Sequence, residues 1–219
     1  MATVRDVRRR IRRHIENLNS ADEDVSSKAE MYLMRYYGAR ALDELIGACN
    51  HSNPVVRFRA VWALAHTKDP RIYETILRLT DDPDERVRYD ATLAFGVLGD
   101  MRAVPQLMRM WPEHDETRPA AEAISKLGVK TLPAVEKVHR GGDVELRREA
   151  VNVIGGFAKN DGNKRAIKLL RASLNDPDSI VREDARYWLE EIGIMQRPNE
   201  EGDEAKRNRG KIWSFLLTS

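Results

Sequence analysis

Five histidines, one cysteine and one acidic cluster are the residues through which this chain could bind a metal or run a reaction. His14, His51, His66, His114 and His139 are scattered, and no two stand at a spacing that puts both imidazoles on one helical face. The run Glu113-His114-Asp115-Glu116 carries donors that could coordinate a cation, but we read it as a solvated, helix-capping acidic turn. Cys49 lies on an apolar helical face and reads as a small core residue. A Gly-rich phosphate loop, a Gly-x-Ser-x-Gly turn and a Cys-based nucleophile motif are all missing from the sequence. We therefore assign no catalytic residue, no metal and no cofactor. What is left is binding chemistry, chiefly that of arginine and lysine.

Composition narrows what those cations can mean. Of 219 residues, 42% are hydrophobic and 33% charged, enough apolar content for a folded core. Few aromatics and abundant Ala, Leu, Arg and Glu favour helices. The formal charge is only +2, so no molecule-wide basic field marks a nucleic-acid or membrane binder. A single cysteine excludes an internal disulfide or a thiolate zinc cluster and fits a reducing compartment. No apolar run approaches the roughly 18 residues of a membrane span. The N-terminus lacks the apolar segment of a secretory signal, and Asp6 and Glu16 weigh against an organelle transit peptide. The expected location is the cytoplasm.

The elements that must position the cations come from an internal repeat. In "DPDERVRYDATLAFGVLGD", residues 82 to 100, Ala91 anchors a column completed by Ala29, Ala60, Ala120, Ala150 and Ala185. Seven residues before each stand Asp22, Asn53, Asp84, Glu113, Asp143 and Asp178, five of which are good helix N-caps. Four residues after each stand Leu33, Leu64, Phe95, Ile124, Ile154 and Leu189, one turn on and on the same face. Three before stand Ser26, Arg57, Arg88, Thr117, Arg147 and Arg182. After a break at Gly38, Asp69-Pro70, Gly99-Asp100 or Gly128, a second apolar segment follows, as in "RIYETILRL" at 71 to 79. The unit is helix, turn, helix in about 30 residues, and stacking such pairs buries faces that neither helix can bury alone.

The pattern Val-Arg-x-x-Ala-x-x-Ala-Leu/Phe, ending in Leu-Gly-Asp, resembles the short HEAT-like repeat of the phycobilisome-lyase type, over roughly residues 22 to 193. "ERVRYDATLAFGVLGD" fits closely and "IVREDARYWLEEIG" well, whereas the copies at 22 and 113 are degenerate. The resemblance implies an all-α, right-handed solenoid of about six repeats. It says little of function, because such repeats serve lyase subunits, metal-dependent hydroxylases and plain scaffolds. Those hydroxylases hold iron through His-Glu dipeptides, and this sequence has none. A repeat-built DNA glycosylase would have to recruit Trp111, Asp115 and Trp188, and Trp188 falls on a core column.

Three segments result: a basic amphipathic capping helix at 1–21, the repeats at 22–193, and a polar linker with an apolar tip at 194–219. On the first, Val4, Val7, Ile11, Ile15 and Leu18 share one face, and Arg5, Arg8, Arg9, Arg10, Arg12 and Arg13 occupy the other. A solvated cap explains this face; contact with acidic protein, RNA or anionic lipid is the sharper alternative. No aromatic residue interleaves these arginines, so base stacking has no platform in the sequence. The tip, with Trp213 and Phe215, folds back as a missing helix or docks on a partner or a second copy, a route to self-association.

In HEAT-like stacks the second helices line the concave surface. Aligned on Leu45, Ile76, Leu107, Val135 and Leu169, they place Gly47, Arg78, Arg109, Lys137 and Arg171 in one outward column. Four cations on successive rungs would receive an acidic partner segment; pairing with neighbouring carboxylates would silence them. The Arg57, Arg88, Arg147 and Arg182 column reads instead as structural, bonding acids and carbonyls between repeats. The expected function is a non-catalytic scaffold or accessory subunit that binds a protein. A bilin-lyase-like subunit or chromophore chaperone is the alternative; nucleic acid, an unlikely partner, is the minor one.

Overall fold

A computed structural model describes residues 4–111 and 119–196. The readings that concern Glu113, His114, Asp115, Glu116, Thr117, the linker from 197 onward and the tip at 212–217 lie outside the described residues. Among those described, every regular element is helical: α1 (Val4–Asn17), α2 (Glu23–Tyr32), α3 (Leu42–Ala48), α4 (Pro54–Ala65), α5 (Tyr73–Leu79), α6 (Glu85–Leu98), α7 (Val104–Met110), α8 (Pro119–Leu127), α9 (Leu132–Gly141), α10 (Val144–Asp161), α11 (Lys164–Ser173) and α12 (Ser179–Glu191). None is long and apolar enough to cross a membrane.

First helices start where their caps require. Asp22, Asn53, Asp84, Asp143 and Asp178 hold extended backbone and accept N–H groups of the first turn of α2, α4, α6, α10 and α12. Second helices enter through a 3-10 turn, at Gly38–Ala41, Pro70–Ile72, Met101–Ala103 and Val129–Thr131, before α3, α5, α7 and α9. The six anchor alanines are at most 4% exposed, and the large residues one turn on are fully buried. Each such Leu, Ile or Phe stabilises the stack by about 1.5–3 kcal/mol, while the small Ala lets neighbouring helices approach.

The chain groups into two compact units, Met1–Ala103 and Val104–Ser219. In the first, α1 packs on α2 and α3, α4 on α3 and α6, and α5 on α6. In the second, α10 lies against α8, α9, α11 and α12, and α7 against α8. Accordingly, α10 is buried without a break from Glu149 to Ala158, the pattern of a helix covered on all sides. The fold is thus all-α and of the solenoid class, built from stacked helical pairs. Val4 departs from the amphipathic pattern of α1. It is 75% exposed, and the buried side of this segment rests on Ile11 and Leu18.

The arginine column bonds as its spacing predicts. Arg57 donates through Nε and Nη2 to both carboxylate oxygens of Asp82, at 2.8 and 2.6 Å, and through Nη1 to the carbonyls of His51 and Ser52. Arg147 repeats this on Asp176, at 2.9 Å for both bonds, with Gly142 supplying the carbonyl. Arg88 and Arg182 donate to the carbonyls of Asp82 and Pro83, and of Asp176 and Pro177. The two Asp-Pro-Asp turns are therefore cross-braces within their units: the first Asp takes the arginine of the preceding repeat, and the second caps the next helix.

Candidate functional site

On the second helices of the Val104–Ser219 unit, every exposed charged residue is basic. Val135 on α9 and Leu169 on α11 point inward and are buried. Two positions on, Lys137 and Arg171 are exposed, with no ion pair or hydrogen bond among the described residues. Lys130, Lys164 and Lys168 add further exposed positive charge. Arg109 on α7 is also exposed and donates to the side chain of Gln106, a neutral acceptor, and meets no carboxylate among the described residues.

These helices carry a single carboxylate, Glu136, and it is buried. Arg140 one turn on and Arg165 from α11 both clamp it. A second tie between α9 and α11 joins His139 Nε2 and Ser173 Oγ at 2.7 Å. Burial lowers the His139 pKa against the opposing pull of Asp176, and Arg140 and Arg147 add to the lowering. The face is thus fixed by pairs at its base and left unpaired at its rim.

The first unit differs. Arg78 on α5 is exposed and unpaired among the described residues, but its helix also carries Glu74, and α3 carries Asp43 and Glu44 beside Gly47. The four-cation column therefore divides by unit, with Arg109, Lys137 and Arg171 in one and Arg78 in the other. Arg5, Arg8, Arg9, Arg12 and Arg13 are all exposed on α1. Of these, Arg9 approaches Asp6 at 3.7 Å, with both side chains open to water.

The remaining chemistry-bearing residues are structural where they are described. Burial pushes the Cys49 thiol up to about 12, so it is an inert core residue. Trp111 and Trp188 are buried and donate their ring N–H groups to Glu149 and Asn152, so neither presents a free stacking face. Among the described residues no three His, Cys, Asp or Glu side chains are placed to hold a metal ion.

Asp90 on α6 is a group the sequence did not single out. Burial, with the nearby Glu30 carboxylate adding, raises it from 3.8 to about 6. Glu30 is itself held by Arg59 at 3.2 Å. A carboxyl raised on folding stabilises the native state fully below its unfolded pKa, and that contribution is lost as pH rises through the folded value. Asp90→Asn should therefore be more stable than wild type at pH 7, by about 1–2 kcal/mol after discounting for partial exposure. The gain should shrink from pH 6 downward and vanish near pH 4. Urea melts across that range check it; a gain independent of pH would remove the explanation.

Comparison with known proteins bears on the fold. Residues 42–128 match the family of HEAT repeats. The complex of CpcE and CpcF of phycocyanin lyase from Nostoc sp. PCC7120 is similar in structure, with 19% identity over 88% of this chain and 78% of that chain and a TM-score of 0.51. A designed armadillo repeat protein aligns over 83% of this chain and 99% of its own, at 18% identity and a TM-score of 0.44. Human deoxyhypusine hydroxylase in complex with glycerol aligns over 94% and 84%, at 18% identity and 0.37. At these identities a likeness concerns the fold alone, and the last two scores are too low to add to it. No curated protein matches the chain.

Proposed function

We propose, from the match of residues 42–128 to HEAT repeats and the stacked helical pairs, that this chain is a non-catalytic scaffold or accessory subunit that receives an acidic segment of a protein partner on the second helices of its Val104–Ser219 unit. One observation carries the reading: among the described residues, Lys137 and Arg171 stand exposed and unpaired on helices whose one carboxylate is already clamped. Had each cation met a neighbouring Glu or Asp, the column would be surface decoration. Single exposed ion pairs contribute less than about 1 kcal/mol, so these cations set orientation and association rate, and apolar contacts supply the rest of the affinity.

The test is titration of the full chain with a fluorescein-labelled oligoglutamate peptide, at low and high salt. Lys137→Glu with Arg171→Glu should weaken binding roughly tenfold or more at low salt, with the melting temperature nearly unchanged, because both side chains are exposed. Arg78→Glu in the other unit should have a smaller effect. Equal binding by the double variant sinks the assignment. A bilin-lyase-like or chromophore-chaperone role rests on the shared fold alone, and the same titration with an open-chain tetrapyrrole separates it from the scaffold reading.

A further inference from the structure

The Met1–Ala103 unit brings together what the sequence keeps apart, an arginine-rich helix face and a surface cluster of aromatic rings. His14, on α1, stacks on Tyr32 with ring centroids 5.0 Å apart and planes 19° from parallel. It also meets Tyr37 at 5.6 Å, and Tyr32 meets Tyr36 at 5.2 Å. The cluster is open to water: Tyr36 is 59% exposed and Tyr32 41%. No hydroxyl of these three tyrosines is hydrogen-bonded among the described residues. Arg13 adjoins His14, and Arg10 lies one turn before it on the same side of α1.

Local backbone explains why the rings face outward. α2 does not end at Tyr32 but runs into a π-helical turn, Leu33–Tyr37, closed by Gly38 at φ 45° and ψ −124°. That backbone conformation is hard for any residue with a Cβ. Leu33 is fully buried at the start of the turn, which pins the wider coil to the core and leaves Tyr36 outside. Single π-helical turns are rare and concentrate at functional sites. Arg35 and Arg40 in this segment are exposed. Of the carboxylates on α2, Glu23 and Asp24 lie at the opposite end and Glu30, two residues before Tyr32, is held by Arg59, while Glu16 is the one carboxylate on α1 besides Asp6.

We propose that this surface binds single-stranded nucleic acid, with bases stacking on Tyr36 and Tyr32 and the phosphates following the arginine face of α1. Stacking on an exposed aromatic contributes about 1–3 kcal/mol per base and tolerates any sequence, and arginines on phosphate position the strand without reading it. An anionic lipid surface fits less well, because the apolar side of α1 is turned into the protein at Ile11 and Leu18 and leaves Val4 as the one exposed apolar residue of that helix to insert. An acidic peptide would use the arginines and leave the ring faces bare. The site lies in the other unit from the proposed acidic-segment face and stands or falls independently of it.

Fluorescence anisotropy of the full chain with a labelled oligouridylate tests the assignment. Wild type should bind the single strand more tightly than a duplex of equal length. Tyr36→Ala should weaken it about tenfold, and Tyr36→Phe, which keeps the ring, should restore it. Arg12→Glu with Arg13→Glu should flatten the dependence of log K on log salt by about one unit or more. Circular dichroism melts of each variant should overlay the wild type, since all three side chains are exposed. Absence of single-strand binding at low salt overturns the proposal. So does binding that survives Tyr36→Ala unchanged, which would mark a generic polyanion surface. Loss with both Tyr36→Ala and Tyr36→Phe would also overturn it, because the ring face would then not be the contact.

Discussion

Gly155→Ala should destabilise the chain by about 3–5 kcal/mol, a reversal of the usual effect in a helix. Gly155 lies inside α10, where alanine ordinarily gains about 1 kcal/mol over glycine. Here a Cβ would meet the Trp188 ring on α12 at 2.1, 2.2 and 2.4 Å. No rotamer relieves this, because the added atom has no torsion to adjust. The indole cannot yield cheaply either. It is 2% exposed, and its Nε1–H donates to Asn152 Oδ1 at 2.8 Å, while Asn152 in turn donates to the Arg148 carbonyl at 3.1 Å. Moving the ring breaks a buried bond, and moving the helix opens the packing of α10 on α12. Urea denaturation reads the cost. Adding Trp188→Leu to Gly155→Ala should recover part of it, since the clash and the donor leave together. A Gly155→Ala protein as stable as wild type would mean that the two helices can part without penalty.

How far the sequence anticipates this architecture depends on how local each feature is. The anchor alanines, the core residues one turn on and the N-caps recur at a fixed step in every described repeat, so a column of like residues displays them. The arginine column was legible for the same reason, and its hydrogen bonds to carbonyls follow from it. The carboxylate partners were not. Nine residues before each anchor stand Ser20, His51, Asp82, Trp111, Gly141 and Asp176, a column with no common type, and only the two aspartates serve. The Gly155–Trp188 approach joins residues 33 positions apart that no repeated column relates. The aromatic platform is not legible among the arginines of α1, where no aromatic residue interleaves them. The rings arrive from the end of the next helix, turned outward by a π-helical turn that no residue pattern announces. On the candidate acidic-segment face, the exposed column was readable, while the neutralisation of Glu136 by Arg140 and Arg165 required the fold.

The same reasoning makes Asp82 a costly carboxylate to lose. Its side chain is 6% exposed and accepts two bonds from Arg57 and a third, at 2.9 Å, from the backbone N–H of Asp84. Asp82→Ala leaves the Arg57 guanidinium, itself only 12% exposed, facing a cavity with two carbonyls as its remaining acceptors. Breaking one side of so enclosed a pair should cost about 3 kcal/mol. Arg71 and Asp69 give the contrast within the same unit. Their pair has similar geometry at 2.7 Å, but the arginine is 67% exposed, so Arg71→Ala should cost far less than Asp82→Ala, water screening most of the attraction. The difference isolates enclosure from hydrogen-bond geometry, which the two pairs share. Replacing both partners, Arg57→Met with Asp82→Leu, should be milder than Asp82→Ala alone, because no charge is then left without its counter-charge. Thermal melts of the three variants decide the matter. If Asp82→Ala and Arg71→Ala cost the same, the Asp-Pro-Asp turn is a helix cap only, and the cross-brace between repeats contributes nothing.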